Sequence, residues 1–179
     1  MNKRNKTEGY SLFELVMTLA LVALLTTVGL PSLGGLAADK YLVTEVNALF
    51  HAVYLARTES IARRRVVSIC PSLDGQYCDP SYDWSKGWIL FVNKGMQKPL
   101  QRDDDEVILQ HHWVSASSRI TANRKGFTLR ATQLRATNGT IVFCDREGRA
   151  ESRALVISYT GRPRVTRMNR AGKAYTCAD

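Results

Sequence analysis

The sequence is poor in the residues that metal and acid–base chemistry use. Only three histidines occur in 179 residues. His51 falls inside a helical pattern, and the pair His111-His112 has no carboxylate at metal-ligand spacing. There is no H-E-x-x-H, Walker, G-x-S-x-G or dinucleotide-binding motif, so the common hydrolase, P-loop and Rossmann chemistries are excluded. No C-x-x-C knuckle is present, which argues against a zinc site. Internal repeats and low-complexity linkers are also absent. Acids are outnumbered, 16 against 25 basic residues, for a formal net charge of +9. The one acidic run, Arg102-Asp103-Asp104-Asp105-Glu106, lacks EF-hand spacing and reads as a solvated turn. No catalytic residue, metal or cofactor is expected, and the chain is not expected to be an enzyme. A basic balance of this size favours contact with nucleic acid or anionic lipid.

The N-terminal region is organised differently from the rest. Residues 1–9 are polar and basic, with Lys3, Arg4 and Lys6. Residues 15–38 then carry no charge. At ~1.5 Å per residue such a run is long enough to cross a hydrocarbon core of ~30 Å as a helix. The preceding cations place the N-terminus on the cytoplasmic side. A secretory signal peptide is the alternative, but Gly35-Leu36-Ala37-Ala38 is a poor A-x-A cleavage site. Neither that reading nor a plain single-pass anchor explains Glu14, just before the uncharged run, because a carboxylate there is costly without a partner. Cleavage after Gly9 would supply one. Tyr10 would begin the chain with a free amine, and Glu14, one turn on, would pair with the amine of a neighbouring copy. Pro31, flanked by Gly29, Gly34 and Gly35, predicts a bend or a partly melted turn.

Gly9-Tyr10-Ser11-Leu12-Phe13-Glu14-Leu15 followed by the apolar run resembles the class III prepilin signal of type IV pilins and type II secretion pseudopilins. The resemblance implies cleavage after Gly9 by a prepilin peptidase, methylation of the Tyr10 amine, a guiding role for Glu14 in assembly, and a helix-interior proline at Pro31. Tyr10 departs from the usual phenylalanine or methionine.

Beyond the apolar run, Leu42, Val46, Leu49, Val53 and Ala56 recur at helical spacing, with Val43, Phe50, Tyr54 and Ile61 widening the stripe. Arg63-Arg64-Arg65 closes that helix, where cations suit the negative end of the dipole. The pattern then turns to strands at 66–70, 88–92, 107–109, 126–129, 140–144, 155–159, 164–166 and 174–177. Cys70, Cys78, Cys144 and Cys177 all follow the apolar segment, which suggests two disulfides in an oxidising compartment. Of three pairings, Cys70–Cys78 would staple a loop and Cys144–Cys177 would tie the chain end to the sheet. The longer link would contribute roughly 3–4 kcal/mol.

The second half resembles the GspH/FimT group of minor pilins and pseudopilins, through Trp84, Gly87-Trp88, Phe91, Phe143-Cys144-Asp145, Gly148 and the stretch from Ile157 through Gly161-Arg162-Pro163-Arg164-Val165 to Cys177. The resemblance implies an α+β fold. A long N-terminal helix, transmembrane in one half and amphipathic in the other, packs on a β-rich head. The expected divisions are a leader at 1–9, a transmembrane segment at 10–38, an amphipathic segment at 39–65 and the head at 66–179. The protein is then expected at the inner membrane as a single-pass subunit with its head in the periplasm, and in a filament after assembly. The implied partners are the peptidase, other major and minor pilins or pseudopilins, and the inner-membrane assembly platform. Gly161-Arg162-Pro163-Arg164 matches a G-R-x-R motif that implies double-stranded DNA binding by Arg162 and Arg164. Residues 160–177 hold five bases and no acid: Arg162, Arg164, Arg167, Arg170 and Lys173. Residues 107–144 add Arg119, Arg124, Lys125, Arg130 and Arg135, again without an acid. A type IV pilus role is expected. The alternatives are the H pseudopilin at a type II secretion pseudopilus tip and a pilus-priming minor pilin without DNA binding.

Overall fold

A computed structural model of the chain describes residues 9–131 and 136–177, with the side chains of residues 28–33 not described. The leader residues 1–8, the side chain of Pro31 and Arg135 therefore lie outside the described residues.

One helix, α1 (Leu12–Arg63), carries the N-terminal half. Ser11 caps it: its backbone is extended and its Oγ accepts the Glu14 N–H at 3.2 Å. At the other end Arg64 takes a left-handed conformation, with φ 50° and ψ 36°. Arg63 pairs with Glu59 one turn back. From residue 38 onward the predicted stripe is the buried face: Ala38, Leu42, Val46, Leu49, Val53 and Ala56 are all covered. Of the widening residues, Val43 and Phe50 are half-buried, with Phe50 against the core. Tyr54 and Ile61 are exposed, and Ala52 takes the buried place.

The transmembrane half and the single-pass inner-membrane location are overturned: among the described residues no helix is long and apolar enough to cross a membrane. The uncharged sequence run is divided between two environments. Its last residues belong to the head, where Ala38 is 4% exposed and a Cβ on Gly35 would sit 3.6 Å from the Arg149 carbonyl oxygen.

The head is two antiparallel four-stranded sheets lying against α1. One has the order β3-β2-β1-β5, from β1 (Val66–Pro71), β2 (Gly87–Asn93), β3 (Ile108–Trp113) and β5 (Phe127–Leu129). The other has the order β4-β6-β7-β8, from β4 (Ser118–Ala122), β6 (Gly139–Asp145), β7 (Arg153–Ile157) and β8 (Pro163–Thr166). Strand β2 is apolar at nearly every position because both its faces are covered. Trp88 and Leu90 join the core under α1, while Ile89 and Phe91 pack with Cys70 and Cys78 on the opposite face. Phe143, Ile141, Leu155 and Ile157 bring the second sheet into the same α1 core.

Two differences from the sequence reading concern strands. Residues 118–122 form β4, whose alternating burial puts Ile120 inside and Arg119 and Thr121 toward solvent. Residues 174–177 form no strand. Ala174 makes one bridge to Met168, and the segment is held as a strap by the Cys144–Cys177 disulfide and by Ser152 Oγ donating to the Tyr175 carbonyl. The other disulfide joins Cys70 to Cys78.

Polar ties fasten helix to head at three levels. Arg153 Nη2 donates to Asp39 at 2.6 Å, and this guanidinium holds the Asp39 carboxyl below the usual carboxylate range. Glu45, 6% exposed, lies 2.8 Å from His112 Nε2 and accepts the Ser115 N–H at 3.0 Å. Arg57 donates to the Thr160 carbonyl at 2.8 Å.

Candidate functional site

Two regions carry the residues singled out from sequence. The first is the free start of α1. Tyr10 is 87% exposed, and Leu12, Phe13, Leu15, Val16, Leu19, Val22 and Leu25 are exposed around the helix. Apolar surface of this extent is unfavourable in water and marks a contact surface. Tyr10, Glu14, Leu15 and Thr18 share one side, so the first-turn carboxylate stands next to the position a new amine would occupy after cleavage at Gly9.

The second region is the turn from β7 into β8. Gly161 has φ +72°, a conformation that costs glycine nothing. Its N–H donates to Ser158 O at 2.9 Å, and the Arg162 N–H reaches Ser158 Oγ at 3.2 Å. With Arg57 bonded to Thr160, the turn is fixed from both sides. Pro163 is buried opposite Ile157, whereas Arg162 and Arg164 on either side of it are exposed. Both arginines line one concavity of about 660 Å³.

Several distant segments complete that concavity. Arg170 and Tyr175 come from the disulfide-tied strap, Tyr159 from the turn, and Asn123 and Asn138 from around β4–β6. Arg124 stands at the rim, with its Nε donating to the Asn138 carbonyl at 3.3 Å. Among the described residues no acid lines it, and none forms an ion pair with Arg162, Arg164 or Arg170. The nearby acids are committed elsewhere: Glu147 pairs with Arg149 and Glu151 with Arg167.

The structure therefore brings together part of the predicted set. Arg162, Arg164 and Arg170 converge. Arg167 is held by Glu151 at 3.1 Å, and Lys173 does not line the concavity. Of the second basic group, Arg124 bonds to the lining residue Asn138. Lys125 sits 5.3 Å from the Tyr82 ring centroid, and Arg119 is on β4 beside Asp83. The asparagines and Tyr175 were not singled out from sequence. Their only local sign is turn chemistry, as when Asn169 Oδ1 accepts the N–H groups of Ala171 and Lys173.

Comparison with known proteins gives a consistent result. The family profile described as Type II transport protein GspH matches residues 45–161. A crystal structure of the Pseudomonas aeruginosa PAO1 type IV minor pilin FimU superposes with a TM-score of 0.51 at 22% identity, covering 76% of this chain and 96% of that one. A second crystal form of FimU superposes with a TM-score of 0.50 at 22% identity, covering 76% and 92%. No curated protein matches the sequence. At this identity the superpositions speak to the fold of helix and head.

Proposed function

The chain belongs to the GspH family, and from that premise we propose that it is a minor subunit of a type IV pilus, packing its free N-terminal helix among those of other pilins. Membership makes it a structural subunit and not a catalyst. The observation that carries the reading is the apolar start of α1, exposed on all sides and bearing Glu14 in its first turn. A bundle of like helices covers that surface. Cleavage after Gly9 by a prepilin peptidase frees the Tyr10 amine, and Glu14 pairs with the amine of a neighbouring subunit. The positive end of α1 favours the same carboxylate.

Replacing Glu14 with alanine is expected to leave cleavage at Gly9 unchanged and to lower the amount of subunit in sheared filaments about tenfold, the equivalent of ~1.4 kcal/mol per contact. Immunoblotting of sheared and cell-bound fractions measures both. Unchanged incorporation overturns the role given to Glu14. Deleting the gene and scoring piliation, DNA uptake and exoprotein release together separates the pilus from a type II secretion pseudopilus.

A second reading rests on the concavity: the head contacts DNA phosphates through Arg162, Arg164 and Arg170. Exposed guanidinium groups without acidic partners suit phosphate, because each fork donates two hydrogen bonds. Such contacts are insensitive to base sequence and sensitive to salt. Arg162→Ala with Arg164→Ala is expected to weaken duplex binding by the full chain about tenfold or more. The slope of log K against log salt should fall by about 1.8, close to 0.9 per lost phosphate contact. Fluorescence anisotropy across a salt series measures it. Wild-type affinity in the double variant assigns the arginines to solvent and leaves a pilus-priming or tip role without DNA.

A further inference from the structure

The concavity holds more than cations. Tyr159, 57% exposed, and Tyr175 both line it, so two aromatic side chains accompany three guanidinium groups. The asparagines are oriented by the backbone. Asn123 Oδ1 accepts the Thr140 N–H at 2.9 Å, and Asn169 Oδ1 accepts those of Ala171 and Lys173 at 2.9 and 3.0 Å. Their carbonyl ends are engaged, which leaves their Nδ2 groups as donors. The lining is thus rich in donors and aromatic surface, with no carboxylate among the described residues.

We infer that this concavity seats an unpaired nucleotide of a single-stranded nucleic acid, with a base against Tyr159 or Tyr175 and its phosphates on Arg162, Arg164 and Arg170. The inference rests on the DNA reading of the same arginines and specifies its substrate. Three physical points carry it. A volume of about 660 Å³ is that of a small-ligand pocket and is enough for one nucleotide. In a duplex the base faces are stacked on one another, and only backbone and groove edges are available to the protein. In a single strand the faces are open to stack on aromatic side chains, whichever base is present. Finally, every base offers ring-nitrogen or carbonyl acceptors, so amide donors at Asn123 and Asn169 accept any of them.

The test compares a fluorescein-labelled mixed-sequence single strand with its blunt duplex, both titrated with the full chain at fixed low salt. The single strand is expected to bind about tenfold more tightly, the effect of one stacked base. Tyr159→Leu and Tyr175→Leu together should bring the ratio of single-strand to duplex affinity to about one, and the two Tyr→Phe changes should retain the wild-type ratio. A native melting curve reports that the leucine variant is folded. Duplex binding equal to or tighter than single-strand binding overturns this inference and leaves the arginine–phosphate reading standing. Loss of both affinities in the leucine variant with a native melting curve also overturns it. Failure of wild type to bind either probe sinks the DNA reading together with this one.

Discussion

Replacing Glu45 with alanine is expected to destabilise the protein by about 3 kcal/mol, since two half-buried donors lose their acceptor at ~1–3 kcal/mol each. Glu45 is 6% exposed on the face of α1 that meets the first sheet. One carboxylate oxygen lies 2.8 Å from His112 Nε2, and the other accepts the Ser115 N–H at 3.0 Å. The His112 ring also stacks on Trp88, with centroids 5.3 Å apart, so it cannot turn away without giving up that contact. Truncation leaves a half-buried imidazole and a half-buried backbone N–H without their acceptor. For a chain of this length the midpoint of thermal unfolding should fall by roughly 6–12 °C. Glu45→Gln keeps an acceptor for one donor and should cost less than half as much. The Glu45→Ala, His112→Ala double variant should be less destabilised than the sum of the singles. Additive losses, or a fall of under about 1 kcal/mol for Glu45→Ala, would show that the contact contributes nothing beyond the surrounding packing.

Glu45 also shows where the sequence was legible. The stripe Leu42, Val46, Leu49, Val53 and Ala56 could be read because burial repeats with the helical period. Glu45 sits within that stripe, three residues after Leu42, and a charge there breaks the pattern instead of declaring a partner. Its partner lies in β3, which no local rule connects to residue 45. The proposed leader motif is a local pattern by contrast, since Gly9, Tyr10 and Glu14 lie within one short segment. Strand β2 was clear because a strand covered on both faces is apolar throughout. Strand β4 was not, because Ser118, Arg119 and Thr121 outnumber the buried Ile120 and mimic a polar loop. The membrane span was misread because absence of charge does not say what covers a residue, and Gly35 and Ala38 are covered by the head. Arg162 and Arg164 could be placed together from Pro163, but the asparagines and Tyr175 reach the same concavity only through β-sheet pairing and a disulfide.

That disulfide carries the last prediction. Cys144→Ala with Cys177→Ala is expected to lower stability by about 3–4 kcal/mol and to weaken nucleic-acid binding as well. The bridged residues are 33 apart in sequence. Loop-closure entropy for that length amounts to roughly 3–4 kcal/mol, against roughly 2–3 kcal/mol for Cys70–Cys78, which are 8 apart. The two links also differ in what they hold. Cys70–Cys78 covers the outer face of β1 and β2, remote from the concavity. Cys144–Cys177 holds the strap that supplies Asn169, Arg170 and Tyr175 to the wall. Without it the strap keeps the Met168–Ala174 bridge, the Tyr175 N–H bond to the Arg167 carbonyl and the Ser152 bond to the Tyr175 carbonyl. Removing the short link should therefore shift the melting midpoint and leave binding intact at temperatures where the protein is folded. Removing the long link should lower both, with binding about fivefold weaker, nearer the lower end of the value of one stacked base. Calorimetry and anisotropy on the two double variants separate the effects. Equal binding by both variants in the folded range would mean that the strap holds its place without the bond, and that the wall of the concavity does not depend on it.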